Sequence, residues 1–229
     1  MAGPVIRTAG AEHEKWISPA MADRIVTVFG GTGFLGRRVV RHLRGQSLPV
    51  RIASRHPERV PSPSEGSALQ SIRADINDEA AVAAAVAGAY GVVNAVSLYL
   101  ERGTETFHAL HVKAAERLAR QARLAGVERL VHISGIGADA KSNSPYIRNR
   151  GKGELAVQAA FANAVIIRPA VMFGQDDAFL NTLVKLLKRL PAYPMFGRGL
   201  TRLQPVDVED VAEAIARGLQ PAADRKSVV

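Results

Sequence analysis

The chain contains no cysteine, which excludes disulfides, thiolate zinc sites, iron–sulfur ligation and a cysteine nucleophile. It also lacks the run of roughly twenty apolar residues that a membrane-crossing helix needs. The longest such run, around Ala80–Ala87, is alanine-rich and stops at Gly88. Aromatic residues make up only 5%. No basic–aromatic run offers the stacking platform used for single-stranded nucleic acid, so nucleic acid is not an expected partner. Acidic residues are scarce as well, 21 against 30 Lys and Arg, leaving a net charge of +9 and a pI near 10.3. That excess favours anionic partners: a nucleotide, a phosphorylated substrate, an acidic protein face or anionic lipid.

What is present suffices for a core: 47% of the 229 residues are hydrophobic, which excludes disorder throughout. Residues 1–20 read as a disordered or loosely attached N-terminal extension. They have no apolar stretch of the secretory kind, and Glu12 and Glu14 beside a single arginine make a poor mitochondrial transit peptide. Met21, just before the first strand, is an alternative start. The compartment these features imply is the bacterial cytoplasm, with peripheral contact at the inner membrane compatible with the charge.

From Arg24 onward, short apolar runs alternate with helical patterns, the signature of βαβ units and a parallel sheet. Strands are expected at Arg24–Phe29, Pro49–Ser54, Leu69–Ala74, Gly91–Ala95, Arg129–Ser134 and Ala164–Pro169. Helices are expected near Leu35–Arg44, Glu79–Ala87, Thr104–Ala125, Tyr146–Phe161, Ala178–Leu190 and Val208–Leu219. His56–Gly66, with three prolines, and Pro191–Gly199 read as loops. The fold class is α/β, a Rossmann-type doubly wound parallel sheet with helices on both faces. The dinucleotide-binding domain takes 21–170, and 171–229 form a small, incomplete C-terminal lobe.

The strongest motif is Phe29-Gly30-Gly31-Thr32-Gly33-Phe34-Leu35-Gly36, which follows an apolar strand and opens a helix. In that setting Gly30 permits the tight turn, Gly33 lets backbone approach a pyrophosphate, and Gly36 lets the helix pack on the strand. The phosphates would rest on the N–H groups of the helix start. An NAD site usually carries Asp or Glu at the end of the second strand. Here that stretch reads Ile52-Ala53-Ser54-Arg55-His56, with no carboxylate. Ser54 and Arg55 suit a 2′-phosphate, and Arg37 is placed to help. NADP(H) is therefore the expected cofactor and NAD(H) the second choice. Solvated surface arginines are the plainer alternative for Arg37 and Arg55.

The Gly-x-x-Gly-x-x-Gly spacing resembles the extended and atypical branches of the short-chain dehydrogenase/reductase superfamily. Ala74-Asp75-Ile76 is similar to that family's adenine-contacting step, Asn94-Ala95-Val96 to its fourth-strand cofactor contact, Ile133-Ser134-Gly135 to its active-site serine strand, and Arg168-Pro169 to its sixth-strand signature. The resemblance implies cofactor contacts from Gly30, Thr32, Gly33, Phe34, Leu35, Gly36, Asp75, Ile76, Asn94, Ala95, Val96, Tyr146, Arg150 and Pro169. The family's chemistry uses Tyr-x-x-x-Lys on a helix, with Ser about twelve residues upstream. Ser134 stands twelve residues before Tyr146, but the position four beyond the tyrosine is Arg150. An arginine keeps the charge yet does not release a proton to a relay. Lys152 falls roughly 200° around the helix from Arg150, on the wrong face. Tyr146 and Ser134 are thus either catalytic, with Arg150, or a packing tyrosine and a turn-capping serine.

The segments Ser144–Glu154, Ile167–Asn181 and Gln204–Ala212 resemble more narrowly the NADPH-binding accessory subunit family of respiratory complex I and its bacterial relatives, including a group linked to ubiquinone biosynthesis. Members mostly hold the nucleotide without evident turnover and usually run well past the length of this chain. Two functions follow. One is an NADP(H)-binding protein of the quinone-linked respiratory system with a structural nucleotide. The other is an NADP-dependent oxidoreductase acting on a quinone-like or other lipophilic carbonyl. RNA binding, known among atypical superfamily members, is a distant third. His108 and His111, three apart on a helix, lack a carboxylate partner at ligand spacing, so no metal is expected. Lys185, Lys188, Arg189, Arg198 and Arg202, interleaved with Leu183, Leu186, Leu187 and Leu190, form either a solvated amphipathic face or a surface for anionic lipid or an acidic respiratory subunit.

Overall fold

Alternation along the first strand sets the two faces of the sheet. In β1 (Val26–Phe29), Val26 and Val28 enter one core, while Phe29 enters the other and Thr27 donates to the Ala85 carbonyl on that side (2.9 Å). The computed structural model describes residues 24–60, 68–189 and 204–220. The N-terminal extension, the loop at 191–199 and the tail at 224–229 lie outside the described residues, as do Leu190, Arg198 and Arg202.

Five further strands, β2 (Val50–Ser54), β3 (Leu69–Arg73), β4 (Gly91–Asn94), β5 (Arg129–Ile133) and β6 (Val165–Ile167), complete a parallel sheet ordered β3-β2-β1-β4-β5-β6. Val26 stands opposite Val50 on one side and Gly91 on the other. Strand order reverses between β1 and β4, and ligands of open α/β sheets bind outside the strand ends at such a point. A two-stranded parallel pair, β7 (Met172–Phe173) with β8 (Val206–Asp207), lies apart from the main sheet.

Helices cover both faces. α1 (Phe34–Gly45) and α6 (Val208–Gly218) pack together on one, with Leu35, Val39 and Leu43 meeting Val211, Ile215 and Leu219 in a single core. α2 (Glu79–Val86), α3 (Ala115–Leu124) and α4 (Pro145–Ala160) cover the other. α5 (Ala178–Arg189) follows β7. The helix starts differ instructively. Asp78 caps α2 by accepting from Ala80 and Ala81 N–H, and Asp207 caps α6 by accepting from Glu209 N–H. α1 has Gly33 at its cap, no side-chain cap and no acid in its first turn. Among the described residues, no side chain therefore matches its first N–H groups or its dipole.

The helix expected over Thr104–Ala125 differs from that expectation. His108–Ala114 form a π-helical turn that runs into α3. α4 crosses here so closely that a Cβ at Gly153 would lie 2.0 Å from the His111 carbonyl oxygen. The widened turn accommodates that crossing, with His111 on one side and Ala115, Leu118 and Ala122 kept in the core.

Candidate functional site

At the β1–α1 junction, Gly30 adopts φ +78°, and its carbonyl accepts from Gly33 N–H (2.9 Å). A Cβ on Gly30 would sit 2.9 Å from the backbone of Ala95, and one on Gly36 only 2.0 Å from the Gly30 oxygen. Neither position admits a side chain. Gly33 is exposed at the mouth of this turn. The glycine cradle and the uncapped helix start together fit the pyrophosphate of a dinucleotide.

Beside the cradle lies a cleft of about 240 Å³ between the ends of β1, β2, β3 and β4. Gly30, Thr32, Ser54, Arg55, Asp75, Ile76 and Val96, singled out in the sequence, line it. Arg37 is exposed on α1 and is not among the lining residues, whereas Leu35 is buried in the core. Phe34 lies under the Arg38 guanidinium at 4.4 Å. Asp75 shapes its own turn by accepting from Asn77 N–H (2.8 Å). Asn94 is buried: its amide donates to His132 Nδ1 (3.1 Å) and its carbonyl accepts from Val96 N–H (3.2 Å), holding the strand end that faces Gly30. Residues the sequence did not single out also line the cleft: His56, Arg59, Asn77, Ser97, Leu98, Glu105 and Leu110. His56 and Arg59 could have been found from their place just beyond β2. Glu105 carries no sequence signal, standing fifty residues from its partner Arg55.

Tyr146 and Arg150, which are not among the lining residues, meet on α4, and Arg150 reaches the cleft-lining Ser97. Arg150 is 4% exposed and donates to the Tyr146 hydroxyl (3.2 and 3.1 Å), to the Ile133 carbonyl (3.0 Å) and to Ser97 Oγ. Among the described residues, none of its partners is a carboxylate. The nearby Glu154 is taken by a two-pronged pair with Arg168, which holds that guanidinium above its ordinary pKa through hydrogen bonding and charge. The Tyr146 ring meets Phe107 and His111 edge-on at 5.4 and 5.8 Å and stacks with Tyr99 at 6.1 Å.

Two buried histidines flank this cation. Burial, then the Arg150 charge, push His111 down to about 4; burial, then Arg150 and His111, push His132 to about 3. Both rings are neutral at physiological pH, and His111 Nε2 bonds the Leu98 carbonyl. Ser134 is 3% exposed, and among the described residues its Oγ has no hydrogen-bond partner. Pro169 and Ser134 sit on adjoining strand ends, with Ile136 N–H donating to the Pro169 carbonyl (2.9 Å). Lys152 is exposed. Among the described residues no group of three His, Asp or Glu could hold a metal ion, and no helix is long and apolar enough to cross a membrane.

A glycine cradle at the switch point of a 3-2-1-4-5-6 parallel sheet, with an uncapped helix start beside it, defines the class of doubly wound dinucleotide-binding proteins. The chain belongs to the NAD(P)H-binding family, whose model matches residues 30–220. It is homologous to NADH dehydrogenase (ubiquinone) 1 alpha subcomplex subunit 9, mitochondrial, of Rattus norvegicus: 33% identical over 209 residues, covering 89% of this chain and 55% of that protein. It is 30% identical over 191 residues to a ceramide reductase of Caulobacter vibrioides, covering 83% of this chain and 59% of the reductase. The chain thus spans little more than half the length of these relatives. A short-chain dehydrogenase/reductase superfamily protein from Agrobacterium tumefaciens, solved with bound NAD, shares the fold at TM-score 0.66 and 21% identity, over 89% of this chain and 74% of that one.

Proposed function

We propose that the protein holds NADP(H), in preference to NAD(H), as a structural nucleotide. It would serve as a nucleotide-bearing component of the quinone-linked respiratory complex I system, on the cytoplasmic side of a bacterial inner membrane. The observation that carries this reading is Arg150. A buried guanidinium fixed by four donated hydrogen bonds stands where the related enzymes keep a proton-relaying lysine, and it does not deprotonate. Gly30, Gly33 and Gly36 would hold the pyrophosphate, with Ser54 and Arg55 at the 2′-phosphate. When bound, such a nucleotide supplies hydride chemistry; in this chain Arg150 orients the Tyr146 hydroxyl, and Phe107, His111 and Tyr99 pack against its ring. The homology to the mitochondrial subunit supports the respiratory context. α5 supports a peripheral contact with anionic lipid or an acidic subunit. Its Leu180, Val184, Leu186 and Leu187 are exposed beside Lys185, Lys188 and Arg189, and it has no acidic residue.

A second reading, an NADP-dependent reductase of a lipophilic carbonyl, is favoured by one specific feature. Among the described residues Ser134 Oγ is buried without a partner, a donor that a substrate carbonyl would satisfy. Exposed Tyr99, Leu100 and Ile136 near the same strand ends offer apolar surface, and the relative named ceramide reductase is compatible with it.

The two readings separate in one experiment. The purified protein should keep NADPH through dialysis, gain thermal stability from it by mass action, and oxidise none with quinone analogues; Tyr146→Phe should change little. A quinone- or carbonyl-dependent loss of NADPH absorbance that disappears in Tyr146→Phe would establish the reductase instead. Proton relay contributes about 10²–10⁴-fold, so Arg150→Lys should then raise the rate.

A further inference from the structure

The adenosine end of the cleft contains a charge arrangement that a 2′-phosphate site alone does not explain. Arg55, at the end of β2, is already paired: its Nη1 lies 2.6 Å from Glu105 Oε1. The two residues come from opposite walls, Arg55 just past β2 and Glu105 from the segment between β4 and the π-helical turn, and both line the cleft. Glu105 is not on a loose loop. Its N–H and carbonyl exchange hydrogen bonds with Arg102, both 3.0 Å, and the Glu101 carboxylate accepts from Phe107 N–H (2.7 Å). The carboxylate is therefore presented to Arg55 by a braced turn.

We propose that Glu105 sets the preference between NADPH and NADH by competing with the 2′-phosphate for Arg55. The assignment rests on the cleft holding the adenosine half of the dinucleotide. The pair is half-exposed on both sides, so it is a weak lock, of the kind that a stronger anion displaces. A phosphate monoester carries nearly two negative charges near neutral pH and three acceptor oxygens. It can take the guanidinium from a carboxylate, but it must do so against that carboxylate's negative charge. NADH, with only a ribose hydroxyl at this position, meets neither obstacle and leaves the pair intact. Glu105 thus lowers the NADPH preference that Ser54 and Arg55 create. Arg55 supplies the preference; Glu105 moderates it.

The test is a calorimetric titration of NADPH and NADH against the wild-type protein, Glu105→Gln and Arg55→Ala, with melting temperatures recorded to establish that each variant is folded. Glu105→Gln keeps the shape and removes the charge. It should tighten NADPH about tenfold, equivalent to about 1.4 kcal/mol, and move NADH by less than about twofold. Arg55→Ala should weaken NADPH selectively. If wild type binds both nucleotides and folded Glu105→Gln leaves their ratio unchanged, the role of Glu105 is overturned while the cleft assignment stands. If wild type binds neither nucleotide, the cleft assignment falls, and the role of Glu105 with it.

Discussion

Acidification should destabilise this protein well above the pH at which carboxylates titrate, and the two histidines beside Arg150 set the size of the effect. In the folded state His111 and His132 are held down to about 4 and about 3, chiefly by burial and next by the Arg150 charge. In the unfolded chain each returns to about 6.5. Below that value the unfolded state binds protons that the folded state refuses, so stability rises with pH and is lost as pH falls. The loss begins near the unfolded pKa, runs on toward the folded values, and saturates below them. Between pH 7 and pH 5 each histidine should remove about 2 kcal/mol, and the pair about 4. The magnitude over that window depends almost wholly on the unfolded pKa, because both folded values lie at or below about 4. Urea denaturation at half-unit steps across the window measures it directly. His111→Phe keeps a ring beside Tyr146 and removes one titrating group, so it should halve the slope whatever it does to stability at neutral pH. A wild-type stability that stays flat from pH 7 to pH 5 would show that these rings take up protons while folded, and the account of Arg150 as a cation among neutral partners would fail.

Gly36→Ala should abolish dinucleotide binding and lower the melting temperature, because its Cβ would lie 2.0 Å from the Gly30 oxygen and every close neighbour is backbone; titration and thermal denaturation check both effects. Gly33→Val should abolish binding while leaving the fold largely intact, since a Cβ there meets only the Gly30 oxygen, at 3.2 Å; unchanged affinity would put the nucleotide elsewhere. Arg55→Ala should cost about 1.5–3 kcal/mol in binding NADP(H), as for a hydrogen bond to a charged group, and little for NAD(H). Equal losses for both nucleotides would remove Arg55 from the 2′-phosphate.

The central strands Val26–Phe29 and Gly91–Asn94, buried throughout, were legible as short apolar-rich runs, whereas the edge strand Leu69–Arg73, polar and largely exposed, was legible only from its place in the alternation of strands and helices. The phosphate cradle was legible for a different reason. Gly30 and Gly36 stand where backbone meets backbone, and that constraint leaves only one residue type. That Arg150 shares a helical face with Tyr146 could likewise be read from the i, i+4 spacing, and the family resemblance marked it as standing in place of a lysine. What stayed hidden depends on tertiary crossings. The π-helical turn at His108–Ala114 is tied to α4 pressing Gly153 against the His111 carbonyl, a contact between segments some forty residues apart. The reach of Glu105 to Arg55, the bond from Asn94 to His132 and the convergence of Arg38, Arg41 and His42 on Glu209 are of the same kind. No local pattern announces them.

The packing of α6 on α1 has a temporal side. The helix that opens the phosphate cradle spans Phe34–Gly45, and the helix that covers its apolar stripe spans Val208–Gly218. On a ribosome emitting about 5–20 residues per second, α1 is made many seconds before its cover. Until then Leu35, Val39 and Leu43 have β1 and β2 beneath them but no helix over them. Closing so long a loop adds little to the entropic cost, which grows only logarithmically with length, but it makes the contact late by construction. The anion cradle is therefore synthesised well before the helix that secures it.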